Sequence, residues 1–211
     1  MSRAFEQEIR TRLDQIEQDE GVRILYACES GSRAWGFPSA DSDYDVRFFY
    51  VQPTEWYLSV DLEKKRDVIE RPLDDMLDLG GWDLRKALRL FHGSNPPLLE
   101  WLGSPIVYRE CTSAAARMRA LTSECYSPRA CAYHYLHMAR GNFRDYLKGE
   151  EVWVKKYLYV LRPLVAIRWL ERGLGVVPTE FQVAVEAVID DSAVKAAIAD
   201  LVERKRVGAE L

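Results

Sequence analysis

The sequence predicts an α+β protein, with strands in its first half and helices filling its second. Two observations carry this. Residues 22–28 (VRILYAC) and 44–51 (YDVRFFYV) are short apolar runs rich in β-branched and aromatic residues, as strands are. From about Ser113 onward, apolar residues recur at helical spacing instead. Strands early and helices late suggest a mixed-sheet lobe over residues 1–110 and a helical lobe over 111–211.

Taken in order, Phe5, Ile9, Leu13 and Ile16 recur at helical spacing among charged residues and define an opening amphipathic helix that Gly21 ends. The two strands follow, separated by a glycine-rich turn, and Pro53 stops the second. Residues 56–60 fit either more sheet or a short helical insert. Residues 67–70 and 76–82 are expected to be further strands. Asp83 is placed to cap a helix reaching about His92, with Leu84, Ala87, Leu88 and Phe91 facing inward. Residues 93–97 (GSNPP) break the chain before a short helix at 98–102 and a strand at 106–108. Ser127-Pro128 is a cap with proline at the first helical position, opening a helix that runs to near Gly149, with Gly141 as a point of interruption. Residues 151–171 form the next helix, kinked at Pro163. Thr179 and Gln182 have capping-box spacing and start one more, and the terminal ERKRVGAEL is expected to fray.

Composition narrows the class. At 211 residues the core can be substantial without disulfides, and Cys28, Cys111, Cys125 and Cys131 show no CxxC or zinc-finger spacing, so reduced thiols are expected. A net charge of -4 argues against indiscriminate capture of nucleic acid but permits a local basic groove. MSRAFEQEIR lacks an apolar signal core, and no apolar run approaches the ~20 residues of a membrane span. A cytoplasmic protein without membrane contact is the expectation.

The chemistry concentrates in residues 28–50. Gly31-Ser32 follows the first apolar run, and a Gly-Ser turn can hold phosphate oxygens through backbone N–H groups and a hydroxyl. Asp43 and Asp45 head the second run. At i and i+2 on a strand their side chains share a face, about 6–7 Å apart along it. Two-metal sites hold their ions roughly 3.5–4 Å apart, so carboxylates from one strand suit them, and Mg²⁺ favours oxygen ligands. Such a site needs a third carboxylate from a neighbouring strand; Asp78 is the candidate, with Glu70 and Asp83 as rivals. Asp41, Asp43 and Asp45 also mimic a calcium loop, but Val46 stands where glycine is required and Gln52 where glutamate is. No G-x-x-x-x-G-K-[ST] run exists, which disfavours an ATPase-type phosphate loop. The combination points to transfer of a nucleotidyl group from a triphosphate.

The run GSRAWGFPSADSDYDVRF resembles the signature of the DNA polymerase beta superfamily of nucleotidyltransferases. GWDLRKALRLFHGSNPPLLEWLGSPIVY and KKYLYVLRPLVAIRWL resemble, more narrowly, the bacterial nucleotidyltransferases associated with RNA ligases and assigned to RNA repair. The resemblance implies a palm-like mixed sheet with the Gly-Ser turn leading into a helix. It implies that Gly31 and Ser32 contact nucleotide phosphates, while Asp43 and Asp45 hold two Mg²⁺ ions, with Mn²⁺ as a substitute. It also implies an NTP such as ATP as donor and an RNA end as acceptor. The same transfer onto a protein or small-molecule hydroxyl is the alternative, and a non-catalytic nucleotide- or RNA-binding module is the other.

Further candidates lie outside this core motif. Lys155, Tyr159 and Arg162 fall on one helical face beside Lys156, where they could reach phosphates and stack on a base. Arg33 is a further phosphate candidate. Trp35 either packs under the turn or borders the nucleotide. His134 and His137 have i, i+3 spacing without companions for a zinc site, and Tyr133, Tyr135, Tyr146 and Tyr157 are expected to pack the helical lobe.

Overall fold

A computed structural model describes residues 3–74, 76–149 and 151–208. Helix α1 (Arg3–Glu20) buries Ile9, Leu13 and Ile16 and stops at Gly21, whose φ of +62° glycine tolerates without strain. Strand β1 (Arg23–Glu29), the short helix α2 (Gly31–Trp35) and strand β2 (Tyr44–Val51) follow. Helix α3 (Thr54–Tyr57) and a 3-10 turn (Leu62–Lys64) resolve the choice left open at residues 56–60 in favour of a helical insert. Next come strands β3 (Val68–Asp74) and β4 (Leu77–Asp83), helices α4 (Leu84–His92) and α5 (Pro96–Leu102), and strand β5 (Val107–Glu110).

The five strands form one sheet in the order β3-β4-β2-β1-β5. Only β2 and β4 run parallel, so the sheet is mixed and the fold is α+β. The insert between β2 and β3 supplies the crossover length a parallel pair needs. In the β2–β4 ladder Asp45 stands opposite Asp78, and Arg47 opposite Gly80.

Alternation along β2 divides the two faces. Tyr44, Val46, Phe48 and Tyr50 pack with α1, Leu77 and Leu79 in one apolar cluster. Phe49 joins a second cluster on the other face with Tyr26, Leu98, Trp101, Met118, Tyr135 and Ala166. That second face is covered only at the Phe49 end. Toward Asp45 the helices stand back, and the open end of the face is where the chemistry can sit.

The helical half comprises α6 (Ala114–Cys125), α7 (Pro128–Tyr146), α8 (Val154–Glu171), α9 (Phe181–Val188) and α10 (Ser192–Arg206). The caps read from sequence at Asp83 and Ser127 are made: Asp83 Oδ1 accepts from Arg85 N at 2.9 Å, and Ser127 Oγ from Ala130 N at 3.2 Å. Other expectations need correcting. Gly141 lies inside an unbroken α7. The hydroxyl of Thr179 donates to Glu100 O at 3.0 Å, so no capping box forms and Glu180 stands at the cap of α9. Leu88 is 47% exposed because its place on α4 faces away from the sheet. Of the four tyrosines only Tyr135 is buried; Tyr133, Tyr146 and Tyr157 are largely exposed. The expected frayed end is helical as far as Arg206, while residues 209–211 lie outside the described residues. Among the described residues no helix is long and apolar enough to cross a membrane.

Gly81 shows how tightly the sheet is built. A Cβ there would stand 2.1 Å from Phe48 Cε2, so the Phe48 ring fills the space a side chain would need. Gly81→Ala should therefore cost about 1–3 kcal/mol through overpacking. Adding Phe48→Leu should reduce the cost of that alanine, giving a positive coupling in a double-mutant cycle measured by urea denaturation.

Candidate active site

The turn after β1 and the start of β2 are locked together by backbone and side-chain contact. Ser30 N donates to Asp45 O at 2.8 Å. Gly31 has φ +57°, and a Cβ on it would lie 1.8 Å from Asp45 Oδ2. Only glycine fits both the left-handed backbone and the carboxylate pressed against it. The chain then makes the single turn of α2 and leaves it through Gly36 at φ +91°. The Gly-Ser turn leads into a helix, as the resemblance implied.

Gly31, Ser32, Asp43, Asp45, Lys155 and Tyr159, six of the residues singled out in the sequence, line one open cavity of about 350 Å³. Trp35, Asp41, Ser42, Arg47 and Lys205 complete much of its wall. One side is acidic and the facing side carries two ammonium groups.

On the acidic side, Asp45 is partly buried and its pKa is raised. Burial is the main cause, Arg47 works against it, and the neighbouring charges of Asp78 and Asp43 add to it. Arg47 Nη2 bridges the two in-register carboxylates, at 3.1 Å from Asp45 Oδ1 and 2.7 Å from Asp78 Oδ2, while Nη1 reaches Asp78 O at 3.0 Å. Asp78 thus meets Asp45 through a guanidinium and lies outside the cavity wall. Beneath them Glu29 is fully buried. Its Oε1 accepts from Asp45 N at 2.8 Å and its Oε2 from the hydroxyl of Tyr108, and burial pushes its pKa up to about 7.

The facing side comes from the helical half. Lys155 stands at the start of α8, and Lys205, in the last turn of α10, reaches the hydroxyls of Ser39 and Ser42. Asp41, fully exposed, is held below the usual carboxylate range by its hydrogen bond with Ser39 and, less strongly, by Lys205 and Lys155. Trp35 packs edge-on to Tyr159 at 6.3 Å and donates from Nε1 to Glu100 Oε2 at 3.1 Å. It therefore both packs under the turn and borders the cavity.

Besides Asp78, three sequence candidates do not line that cavity. Arg33 Nη2 and Nε hold the carbonyls of Ser42 and Asp43 at 2.6 and 3.1 Å, with the guanidinium 3.7 Å above the Tyr44 ring. Lys156 lies 3.7 Å over the Tyr146 ring. Arg162 pairs with buried Glu100 at 2.9 Å and lies 3.7 Å over Trp35. Of the rivals to Asp78, Glu70 faces solvent on β3, and Asp83 is fully buried as a helix cap that also accepts from the Tyr57 hydroxyl at 2.5 Å. His92, His134 and His137 are exposed.

Glu29, Arg47, Glu100 and Lys205 are the site residues that sequence reasoning missed. Arg47 had a usable signal: it continues the i, i+2 series of Asp43 and Asp45 on the same strand face. Glu29 had a weaker one, as a carboxylate closing an otherwise apolar run. Glu100 and Lys205 had none, because only the tertiary fold brings them near.

Among the described residues no three His, Cys, Asp or Glu side chains are gathered as a metal cluster. The donor set at Asp43 and Asp45 nevertheless suits a hard divalent cation. It offers carboxylate oxygens only, from exposed Asp43 just before β2 and from half-buried Asp45 on it, where burial and then mutual repulsion raise the Asp45 pKa.

A Gly-Ser turn pressed against the second aspartate of a D-x-D strand, on a mixed sheet, places this protein among the nucleotidyltransferase-like folds. The chain belongs to the RNA repair pathway DNA polymerase beta family, whose profile matches residues 5–211. It is 54% identical over 207 residues to an uncharacterized protein, YcgL, of Bacillus subtilis (strain 168), covering 98% of this chain and 79% of that one. Among solved structures it is similar to a nucleotidyltransferase-like protein from Exiguobacterium sibiricum 255-15. That match has a TM-score of 0.37 and 16% identity over 95% of this chain and 70% of that one.

The buried Glu29 gives a test of how the site is held. Glu29→Leu leaves the Asp45 N–H and the Tyr108 hydroxyl without their acceptor and should destabilise the fold by about 1–3 kcal/mol for each group left unpaired. Glu29→Gln keeps an acceptor for Asp45 N and should cost much less. Chemical denaturation of both variants measures the difference, and equal stabilities would contradict the assigned contacts.

Proposed function

We propose that the protein transfers a nucleotidyl group from a nucleoside triphosphate to a hydroxyl, with an RNA end as the acceptor. The observation that carries this reading is the contact of Gly31 with Asp45, which makes the phosphate-binding turn and the acidic strand one site. Family membership supports nucleotide chemistry and the RNA context.

In this reading Ser32 and the turn's backbone N–H groups hold phosphate oxygens, and Lys155 and Lys205 balance the remaining triphosphate charge from across the cavity. Tyr159 and Trp35 border the base. Asp43, Asp45 and Asp78 would hold Mg²⁺ through their carboxylates. Bound there, the ions would neutralise phosphate charge and make the acceptor hydroxyl more acidic. The acceptor oxygen bonds to the α-phosphorus as the bond from that phosphorus to pyrophosphate breaks. The hydroxyl proton passes to Asp78 or to solvent, and pyrophosphate leaves. Arg33, Lys156 and Arg162 shape the walls through the carbonyls, ring and carboxylate they already hold.

Purified protein, Mg²⁺, each labelled NTP, and RNA, protein or small-molecule acceptors test the proposal. Asp43→Asn and Asp45→Asn should each lower transfer by at least about 10²-fold, as losing a preorganised charge-stabilising group does. Undiminished transfer in both would defeat the assignment. Transfer to protein or small molecules but not RNA would select the alternative acceptor, and NTP binding without any transfer would select the binding module.

Two further variants probe the donor side. Gly31→Ala should abolish transfer, because the new methyl displaces Asp45. Lys205→Met should raise the KM for NTP by about tenfold or more, the scale of one charge-assisted hydrogen bond. Steady-state kinetics reads both.

A further inference from the structure

A second cavity, of about 640 Å³, opens on the same sheet face and shares Arg47 with the first. Asp78 belongs to this second cavity, whereas Asp45 belongs to the first. The two in-register carboxylates therefore stand on opposite sides of one guanidinium, each facing its own space. In-line transfer needs such a division, with the donor on one side of the reacting phosphorus and the attacking hydroxyl on the other.

The second cavity is a groove along β4. Asp78 lies at the end nearest Asp45, Gly80 in the middle and Trp82 at the far end, spanning five residues or about 13 Å of strand. Gly80 leaves the sheet surface bare except where Arg47 lies across it, since a Cβ at Gly80 would meet Arg47 Nη1 at an ordinary 3.5 Å. At the far end Trp82 stacks on Trp101 with ring centroids 3.8 Å apart, and both rings line the groove. Arg66, on the exposed approach to β3, forms no ion pair among the described residues. Arg71 reaches the groove only at its edge: it stands opposite Leu79, and its guanidinium is held on the α1 face by Glu20 at 2.8 Å and Asp19 at 3.6 Å.

We propose that this groove seats the end of a single-stranded nucleic acid, with its terminal hydroxyl toward Asp78, its backbone against Arg66, and a base against Trp82. The chemistry matches the ligand. Guanidinium groups suit phosphodiesters, aromatic rings offer a sequence-tolerant surface to bases, and bare backbone lets a strand lie close. The acidic members are Asp78, at the end where the hydroxyl arrives, and Glu70, exposed on β3 opposite Gly80. This assignment rests on the nucleotidyl-transfer reading for its orientation, but binding can be measured without any transfer.

The test is fluorescence anisotropy with the full chain, a labelled single-stranded oligoribonucleotide bearing a free 3′ hydroxyl, and no NTP. A deoxyribonucleotide of the same sequence runs in parallel to separate RNA from DNA as the source of the strand. Arg66→Glu should weaken binding about tenfold or more. Its salt dependence should flatten by about 0.7 in log K per log salt for each phosphate no longer neutralised. Arg66 is exposed, so melting temperature and binding of a labelled NTP should match the parent protein. Oligonucleotide binding unchanged in Arg66→Glu would overturn the groove assignment. So would a parent protein that binds neither strand yet transfers nucleotides to protein or small-molecule hydroxyls. Arg66-dependent binding in a protein that transfers to nothing would support the groove and defeat the catalytic reading.

Discussion

The site depends on one steric fact: the carboxylate of Asp45 occupies the place where any side chain on residue 31 would stand. A glycine at positive φ is therefore required twice over, by the backbone and by its neighbour. The consequence extends beyond the turn. Because Ser30 N is also bonded to Asp45 O, the end of β1 and the start of β2 move as one body. The turn at Gly31-Ser32 and the start of β2 are thus fixed relative to each other.

Charge is the second constraint. Asp43, Asp45 and Asp78 would repel on a half-buried sheet face, and the raised pKa of Asp45 records that repulsion on top of its burial. Arg47 relieves it by bridging Asp45 and Asp78. The guanidinium lies across β4 over Gly80, held by the carboxylate and carbonyl of Asp78. The same arginine divides the face into two cavities, so one residue both quiets the acidic cluster and separates two ligand spaces. Glu29 supports the arrangement from below, fixing the Asp45 backbone while its own burial keeps its pKa near 7.

Much of the site was legible because it is local in sequence. Gly31, Ser32, Asp43 and Asp45 sit within fifteen residues, and strand periodicity suffices to put the two aspartates on one face. The α+β class and the caps at Asp83 and Ser127 were legible for the same reason: each is a pattern within a few residues. What escaped was set by tertiary partners. Thr179 has capping-box spacing, yet its hydroxyl serves the carbonyl of Glu100. Arg33 sits beside the turn, yet the carbonyls of Ser42 and Asp43 draw it away from the cavity. The terminal ERKR looks like a solvated tail, yet it closes α10 and delivers Lys205 to the opposite wall. Competition among partners for a single side chain does not show in spacing.

The helical half is accordingly part of the site and more than a support for it. Glu100, on α5, gathers Arg162 of α8, Trp35 of α2 and Tyr135 of α7 around one buried carboxylate. Removing one partner of such a buried pair typically costs about 3–5 kcal/mol, because the charge left behind has no water to solvate it. That cluster ties the floor of the cavity to the helices bearing Lys155 and Tyr159. A triphosphate bound between the turn and those helices would meet its positive charges already in position. The same anchoring leaves the β3–β4 side of the sheet face uncovered, since α4–α8 close over the Phe49 end alone. One packing arrangement therefore accounts for both features: an open, lysine-lined space beside Asp45, and an uncovered groove beside Asp78.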